Sequence, residues 1–423
     1  MFRFLAKGLL RDRSRSLFPI IVISAGVAVT VVMLAWIQGI SGMIITENAR
    51  FETGHTKVVT RAYAGVMNEK PFDLGILVSD SVLTDLEQEF PTYKWLQRIY
   101  FGGLLDLPDE TGNSVSQGQV IGFGIDLFTD KMETELLNLE EALISGKLPM
   151  TSNQILLSDE VAIKMKANLG DKVTVISSTM LGSMAMRNFE ISGTIKFGVK
   201  ALDKGAVIVD IKEAQQLLDM ENACSEILGF PINGRYSQTE TYFLSEKFNE
   251  KFADRNDEFS LQMIPLMEQG ELKMLLTATN SRVSVFLFIF IILMSLVLWN
   301  SGLMNGIRRY GEIGVRLAIG ESKLHIYGSM ILESVVIGLA GFIIGTIIGL
   351  GFAYLLQEQG VDISSMMNDA SVIMNSKMQA QITPSCLYIG IIPGLLSTII
   401  GSMFAGIGIF KRQTAQLFKE LEA

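Results

Sequence analysis

The chain has 423 residues, of which 49% are hydrophobic and only 19% charged, a balance too oily for an ordinary soluble protein of this size. Its 35 Lys and Arg stand against 44 Asp and Glu, and the resulting net charge of −9 excludes nucleic acid as a partner, because phosphate binding needs a basic face. Two cysteines, Cys224 and Cys386, exclude a disulfide framework and are expected to be inert packing residues.

In chain order, residues 1–16 form a basic segment with Arg3, Lys7, Arg11, Arg13 and Arg15. A window of about 20 apolar residues is needed to cross about 30 Å of hydrocarbon, and residues 17–40, from Leu17 to Ile40, supply the first. This run exceeds the roughly 7–15 residues of a signal-peptide core and no small-residue cleavage site follows it, so it is expected to be a retained anchor. Residues 41–282 are polar enough for water. Within them Gln154–Ser158, Lys172–Ser177, Phe189–Phe197 and Ala206–Asp210 read as strands. Asp159–Leu169, Ile211–Met220 and Tyr242–Arg255 read as amphipathic helices, with Gly170-Asp171 as turn chemistry. The stretch from Glu268 to Ser281 carries Leu272, Leu275 and Leu276 without proline, so it is expected to extend the following span as a helical stalk; a flexible linker is the alternative.

Three further spans follow at 283–304, 326–356 and 387–410, separated by a loop at 305–325 and another at 357–386, with a tail at 411–423. Lys and Arg beside spans are held in the cytoplasm. Arg308, Arg309, Arg316 and Lys323 lie between spans two and three, and Lys411, Arg412 and Lys419 follow span four. The 357–386 loop offers Lys377 against Glu358, Asp362 and Asp369. Both termini are therefore expected in the cytoplasm, and 41–282 outside it. The expected fold is a membrane protein with four transmembrane α-helices and a large mixed α+β extracytoplasmic domain between spans one and two.

Catalytic and ligand-binding groupings are hard to assemble from this sequence. The histidines, His55 and His325, fall on opposite sides of the expected membrane. No G-x-x-x-x-G-K-[ST] phosphate loop occurs, so the chain is not expected to be a P-loop ATPase and any energy must come from a partner; for want of an acid, base, nucleophile or metal grouping, no enzymatic activity and no bound cofactor are expected. The spans carry few ionisable residues besides Glu333, which disfavours ion-coupled transport. Gly341, Gly345 and Gly349 recur every four residues in span three and form a face for close helix packing, within one subunit or across a dimer. Met366, Met367, Met374 and Met378 punctuate the 357–386 loop; they suit either an adaptable apolar surface or an ordinary mobile loop.

The richest stretch is Asn305–Ser329. Ile313, Arg316, Leu317 and Gly320 fall close together on a short helix, with Arg309, Glu312 and Arg316 at three- and four-residue spacing and Ser322 as a new cap. Physics alone leaves two readings open, a helix that docks on a cytoplasmic subunit and an ordinary basic loop.

The run R-R-Y-G-E-I-G-V-R-L-A-I-G-E-S, Arg308–Ser322, resembles the signature of the FtsX-like, MacB-type permeases of ABC transporters. The likeness extends to R-D-R-S-R-S before span one, to the order of spans, and to I-L-L-S-D-E-V-A-I-K-M-K-A-N-L-G-D-K-V-T-V, Ile155–Val175. Length, an unfused ATPase and Gly54-His55 after span one make it most similar to the lipoprotein-releasing (LolC/LolE-type) branch. The resemblance implies a multi-pass permease of a bacterial inner membrane, paired with a second copy or a paralogue. It would be driven by a cytoplasmic P-loop ATPase that holds ATP and Mg, and would act on a lipidated or amphipathic substrate. Arg308, Arg309, Glu312, Ile313, Arg316, Leu317 and Gly320 would then be the coupling helix that meets the ATPase. An efflux permease of a tripartite exporter and a scaffold that regulates a cell-wall hydrolase remain the alternatives.

Overall fold

The computed structural model describes residues 13–109, 111–252, 257–307, 310–362 and 377–411. Arg3, Lys7, Arg11, Arg308, Arg309, Met366, Met367, Met374, Arg412 and Lys419 lie outside the described residues. The chain divides into two compact units, one of residues 1–42, 278–362 and 377–423 and the other of residues 43–277 and 363–376.

The first unit is built from helices: α1 (Arg13–Asn48) as far as Gly42 and, later in the chain, the apolar parts of three more. Among the described residues, four segments are long and apolar enough to cross a membrane: Leu17–Thr53, Ser281–Asn300, Lys323–Gln359 and Ser385–Ile407.

The second unit is α/β. Its strands are β1 (Thr56–Thr60), β2 (Ile76–Leu77), β3 (Tyr93–Pro108), β4 (Ser114–Ile125), β5 (Leu143–Gly146), β6 (Gln154–Ser158), β7 (Lys172–Ser178), β8 (Met184–Ile195), β9 (Ala206–Asp210), β10 (Ala223–Cys224), β11 (Glu226–Pro231) and β12 (Leu261–Pro265). The main sheet runs β12-β1-β11-β3-β4-β9-β6-β8-β5, with β7 bridging β3 and β8. The 16-residue β3 joins the two parts of this array, β12-β1-β11 and β4-β9-β6-β8-β5. Its first half pairs antiparallel with β11, from Tyr93 opposite Pro231 to Arg98 opposite Glu226, and its second half with β4 and β7. Helices α2 (Ser79–Glu89), α3 (Asp159–Met165), α4 (Ile211–Leu218) and α5 (Gln238–Phe252) pack on the sheet.

Strands pass into helices through capping side chains. Ser158 at the end of β6 accepts from the Val161 N–H at 3.3 Å, and Asp210 at the end of β9 accepts from Lys212 N–H at 3.2 Å, each satisfying one orphan donor of the following helix. At Gly170 the backbone turns through φ +85°, and its N–H donates to Ile191 O at 2.9 Å. Apolar side chains from β3, β6, β7 and β9 then close over Val161, Leu217 and Phe248 in one core, while Phe51, Tyr100, Leu139 and Ile208 belong to a second.

Chain continuity after β12 is simple: α6 (Gly270–Ile307) runs without a break, so the polar stretch before Ser281 is helical. There follow α7 (Tyr310–Ala318), α8 (Lys323–Gln359) and α9 (Ser397–Lys411). Within the helical unit, the glycines of α8 meet α1. A Cβ on Gly341 would stand 2.6 Å from Ile23 Cγ2, one on Gly345 would stand 2.5 Å from Ser24 O, and one on Gly349 would stand 2.8 Å from Val31 Cβ. Backbones this close gain dispersion contacts along their length, a main source of helix association in lipid.

Gly345→Ile is expected to lower the stability of the full chain in detergent by about 1–3 kcal/mol, since the added side chain meets backbone that cannot yield. Gly351→Ala, where a Cβ meets nothing within 4 Å, is expected to leave the thermal unfolding midpoint unchanged.

Candidate functional site

Two places concentrate polar chemistry: the turn between α7 and α8, and the Asn48 end of α1 where it enters the sheet.

At the turn, Gly320 adopts φ +100°, a left-handed conformation that favours glycine. Its N–H donates to Leu317 O and the Glu321 N–H donates to Arg316 O, both at 3.1 Å, which closes the end of α7 in a Schellman arrangement. Ser322 then caps α8, its Oγ accepting from His325 N–H at 3.4 Å. Arg316 fastens the two helices with a fork of hydrogen bonds, Nε to Glu321 Oε2 at 2.6 Å and Nη2 to Oε1 at 2.5 Å, while Nη1 reaches Ser329 Oγ at 3.3 Å. These donors hold the Glu321 carboxyl below the usual carboxylate value.

The expected coupling residues therefore separate by role. Ile313 is buried with Ile326, Met330 and Ala405, and Leu317 packs against the same group. Glu312 is exposed, and Arg316 and Gly320 build the turn. The apolar surface turned outward comes instead from Val315, Ile319 and Leu324, with Ile319 81% exposed. The Val315–Ile319 and Ile313–Leu317 pairs have the same four-residue spacing, so the sequence carried no signal to choose between the faces.

At the other place, α1 continues into a wider π-helical turn, Ala49–Thr53, whose last carbonyls need donors. Arg98 of β3, 1% exposed, supplies them: Nη2 donates to Arg50 O at 2.9 Å and Nη1 to Phe51 O at 3.0 Å. Its Nε and Nη2 also donate to the two oxygens of Glu133 at 2.8 Å each. Burial opposes the Arg98 charge, but the Glu133 carboxylate more than offsets it, so the guanidinium is held above its ordinary value. Next to it, Lys57 Nζ lies 2.7 Å from Glu226 Oε2, and Tyr63 Oη donates to Glu226 Oε1 at 2.7 Å. Burial and then the Glu226 charge push the Tyr63 phenol far up.

Entry to α6 is fastened in the same place. Strands β1 and β12 pair from Thr56 opposite Pro265 to Thr60 opposite Leu261, Leu266 N–H donates to His55 O at 3.1 Å, and Gln269 Nε2 donates to Thr53 O at 3.0 Å. Gly54 makes the sharp exit from the π-turn at φ +59°, with its N–H on Ala49 O at 2.9 Å. His55 then packs its ring between Phe230 and Tyr236 at centroid distances of 5.6 and 5.3 Å. Burial lowers its pKa to about 4.

Among the described residues no cluster of His, Cys, Asp and Glu could hold a metal ion. Cys224 and Cys386 are free and buried, and burial raises the Cys224 thiol. The sequence reading missed Arg98, Glu133 and Gln269. Arg98 shares its strand with Lys94, Gln97 and Asp106, so composition alone did not single it out.

Comparison with known proteins matches residues 16–229 to the MacB-like periplasmic core domain and residues 284–414 to the FtsX-like permease C-terminal domain. The lipoprotein-releasing system transmembrane protein LolC of Haemophilus influenzae is 20% identical over 297 residues, which are 69% of this chain and 70% of the relative. The crystal structure of the periplasmic region of MacB from Actinobacillus actinomycetemcomitans matches with a TM-score of 0.35 and 13% identity, over 52% of this chain and 94% of that one.

Arg98→Met is expected to cost about 3–5 kcal/mol, because Glu133 is left buried and unpaired, and Arg98→Met with Glu133→Leu should recover only the part due to Glu133, since the Arg50 and Phe51 carbonyls still lack the Arg98 donors. Unfolding of the full chain measured by intrinsic fluorescence reads both. For His55 the folded value of about 4 lies below the ordinary 6.5, so the unfolded chain binds the extra proton between those values. Stability is therefore expected to fall by about 2–3 kcal/mol as pH drops from 6.5 toward 4, and His55→Phe should flatten that slope.

Proposed function

The chain belongs to the FtsX-like permeases with a MacB-like periplasmic core domain, and from that membership we propose that it is the membrane subunit of an ATP-driven complex that releases a lipidated substrate from the bacterial inner membrane. It is an ABC-transporter permease, a class whose members are generally non-enzymatic transporter subunits and work with ABC ATPase partners. ATP and Mg would sit on that separate cytoplasmic subunit.

The observation that carries this reading is the turn between α7 and α8. A helix end closed by Gly320 and fastened by the Arg316–Glu321 fork presents Val315, Ile319 and Leu324 outward. A rigid, apolar-tipped knob suits a groove on a soluble subunit, because little ordering entropy is lost on docking. The basic residues on the same loop favour its placement in the cytoplasm, with both chain termini on that side. Closure of the ATPase would shift α7 and the helices joined to it, and the population of outer-domain arrangements would follow. Substrate would be a lipidated or amphipathic molecule taken from the outer leaflet, a reading supported by the likeness to LolC. A second permease chain, a copy or a paralogue, would complete the complex.

Affinity purification of the tagged chain in mild detergent, followed by mass spectrometry, tests the assignment. A stoichiometric P-loop ATPase with lipoprotein in smaller amount is the expected result, and the absence of any ATPase would overturn it. Ile319→Asp should reduce ATPase recovery at least tenfold without changing thermal stability, because Ile319 is exposed and contributes little to the fold.

A further inference from the structure

The α/β unit holds a cavity of about 610 Å3 at the Asn48 end of α1. Thr46, Ala49 and Arg50 line it from the helix side; Lys131 and Leu136 line it from the segment after β4, and Ile232 from the chain after β11. Its walls hold two buried polar atoms without a hydrogen-bond partner, Arg50 Nε and His55 Nδ1.

Arg50 is the stronger signal. Its side chain is 17% exposed, and the Glu47 carboxylate stands 3.9 Å from Nη1, well beyond the roughly 2.7–2.9 Å of a charge-assisted hydrogen bond. Its backbone carbonyl is already taken by Arg98, so the clamp and the guanidinium are separate features of one residue. A half-satisfied buried guanidinium is costly unless a ligand completes its bonds. His55, 8% exposed, offers a second donor in its Nδ1–H tautomer. At the rim Lys94 and Asp130 face each other at 3.8 Å, and Lys131 and Glu135 add one charge of each sign. The Arg50 cation is balanced in charge by Glu47 and Glu141, so what the wall leaves unmet is hydrogen bonding at Nε and at His55 Nδ1, and Ala49, Met132, Leu136 and Ile232 give the cavity an apolar side.

Position along the helix indicates where the ligand comes from. No charged residue occurs from Ser16 to Thr46, a run longer than the roughly 20 residues that cross about 30 Å of hydrocarbon, so by sequence its end lies next to the lipid headgroups. Arg50 lies one turn further on. We propose that this cavity binds the phosphate group of a glycerophospholipid, with Arg50 donating to the phosphate oxygens and the apolar wall receiving the glycerol end. The inference rests on the cavity and stands whether or not an ATPase drives the chain.

Native mass spectrometry of the full chain released from mild detergent tests it, with phosphatidylglycerol and a diacylglycerol of matched acyl chains as probes. One phosphatidylglycerol per chain is expected, retained at least fivefold better than diacylglycerol, with Arg50→Gln reducing retention about tenfold and Arg50→Lys restoring part of it. Adding millimolar inorganic phosphate separates the sources: displacement of the lipid means that phosphate alone is recognised, and persistence means that the whole headgroup is, either of which supports the site. Equal retention of both lipids, or full retention by a folded Arg50→Gln, overturns it. Should Arg50→Gln fail to fold, Lys131→Glu on the exposed rim is expected to weaken phosphatidylglycerol retention about threefold at unchanged thermal stability, and unchanged retention would overturn the proposal equally.

Discussion

A helix that emerges from an apolar run brings carbonyls with no partner of their own, and burying them against a sheet costs free energy unless donors are waiting. Arg98 is that donor set. Its fork closes the carbonyls of Arg50 and Phe51, and Glu133 keeps the guanidinium charged and oriented where water is excluded. Much of the α/β unit follows from this one clamp. Strand β3 must present Arg98 at that point, and its first half is therefore held by β11, whose Glu226 in turn requires Lys57 and Tyr63. The Gln269 amide meets the same need at Thr53, so the end of one long helix and the start of the next share a hydrogen-bonded seat.

The turn between α7 and α8 handles a helix end by another route. There the orphan carbonyls are closed by backbone donors, which requires the left-handed Gly320, and the following helix is capped by Ser322. The Arg316–Glu321 fork is surface-exposed, so its value lies in geometry more than in stability. It keeps Ile319 and Leu324 on the outside of a stiff corner.

In the helical unit the constraint is different, since lipid gives no hydrophobic drive for helices to associate. Close approach supplies the attraction, and Gly341, Gly345 and Gly349 permit it by leaving α1 no Cβ to avoid. Span Ser281–Asn300, by contrast, is only 6% buried within the chain, and most of its apolar side chains face outward, as they would in lipid or against another helix.

By itself the sequence determined the elements whose signal is local. Spans are legible because each is a run of apolar residues long enough to cross hydrocarbon, and the β6-α3 and β9-α4 units because strand patterning ends in Ser158 or Asp210, both good caps. The family likeness around Arg308–Ser322 is local too. Tertiary structure decided what depends on distant partners. Arg98 and Glu133 are 35 residues apart, and neither the long β3-β4 pairing nor the seat for Thr53 carbonyl at Gln269 leaves a periodic trace. The face of α7 that points outward was likewise undetermined, because Ile313 and Ile319 are equivalent until α8 packs against one of them. Burial is a property of the whole packed unit, and the sequence states only which residues are able to be buried.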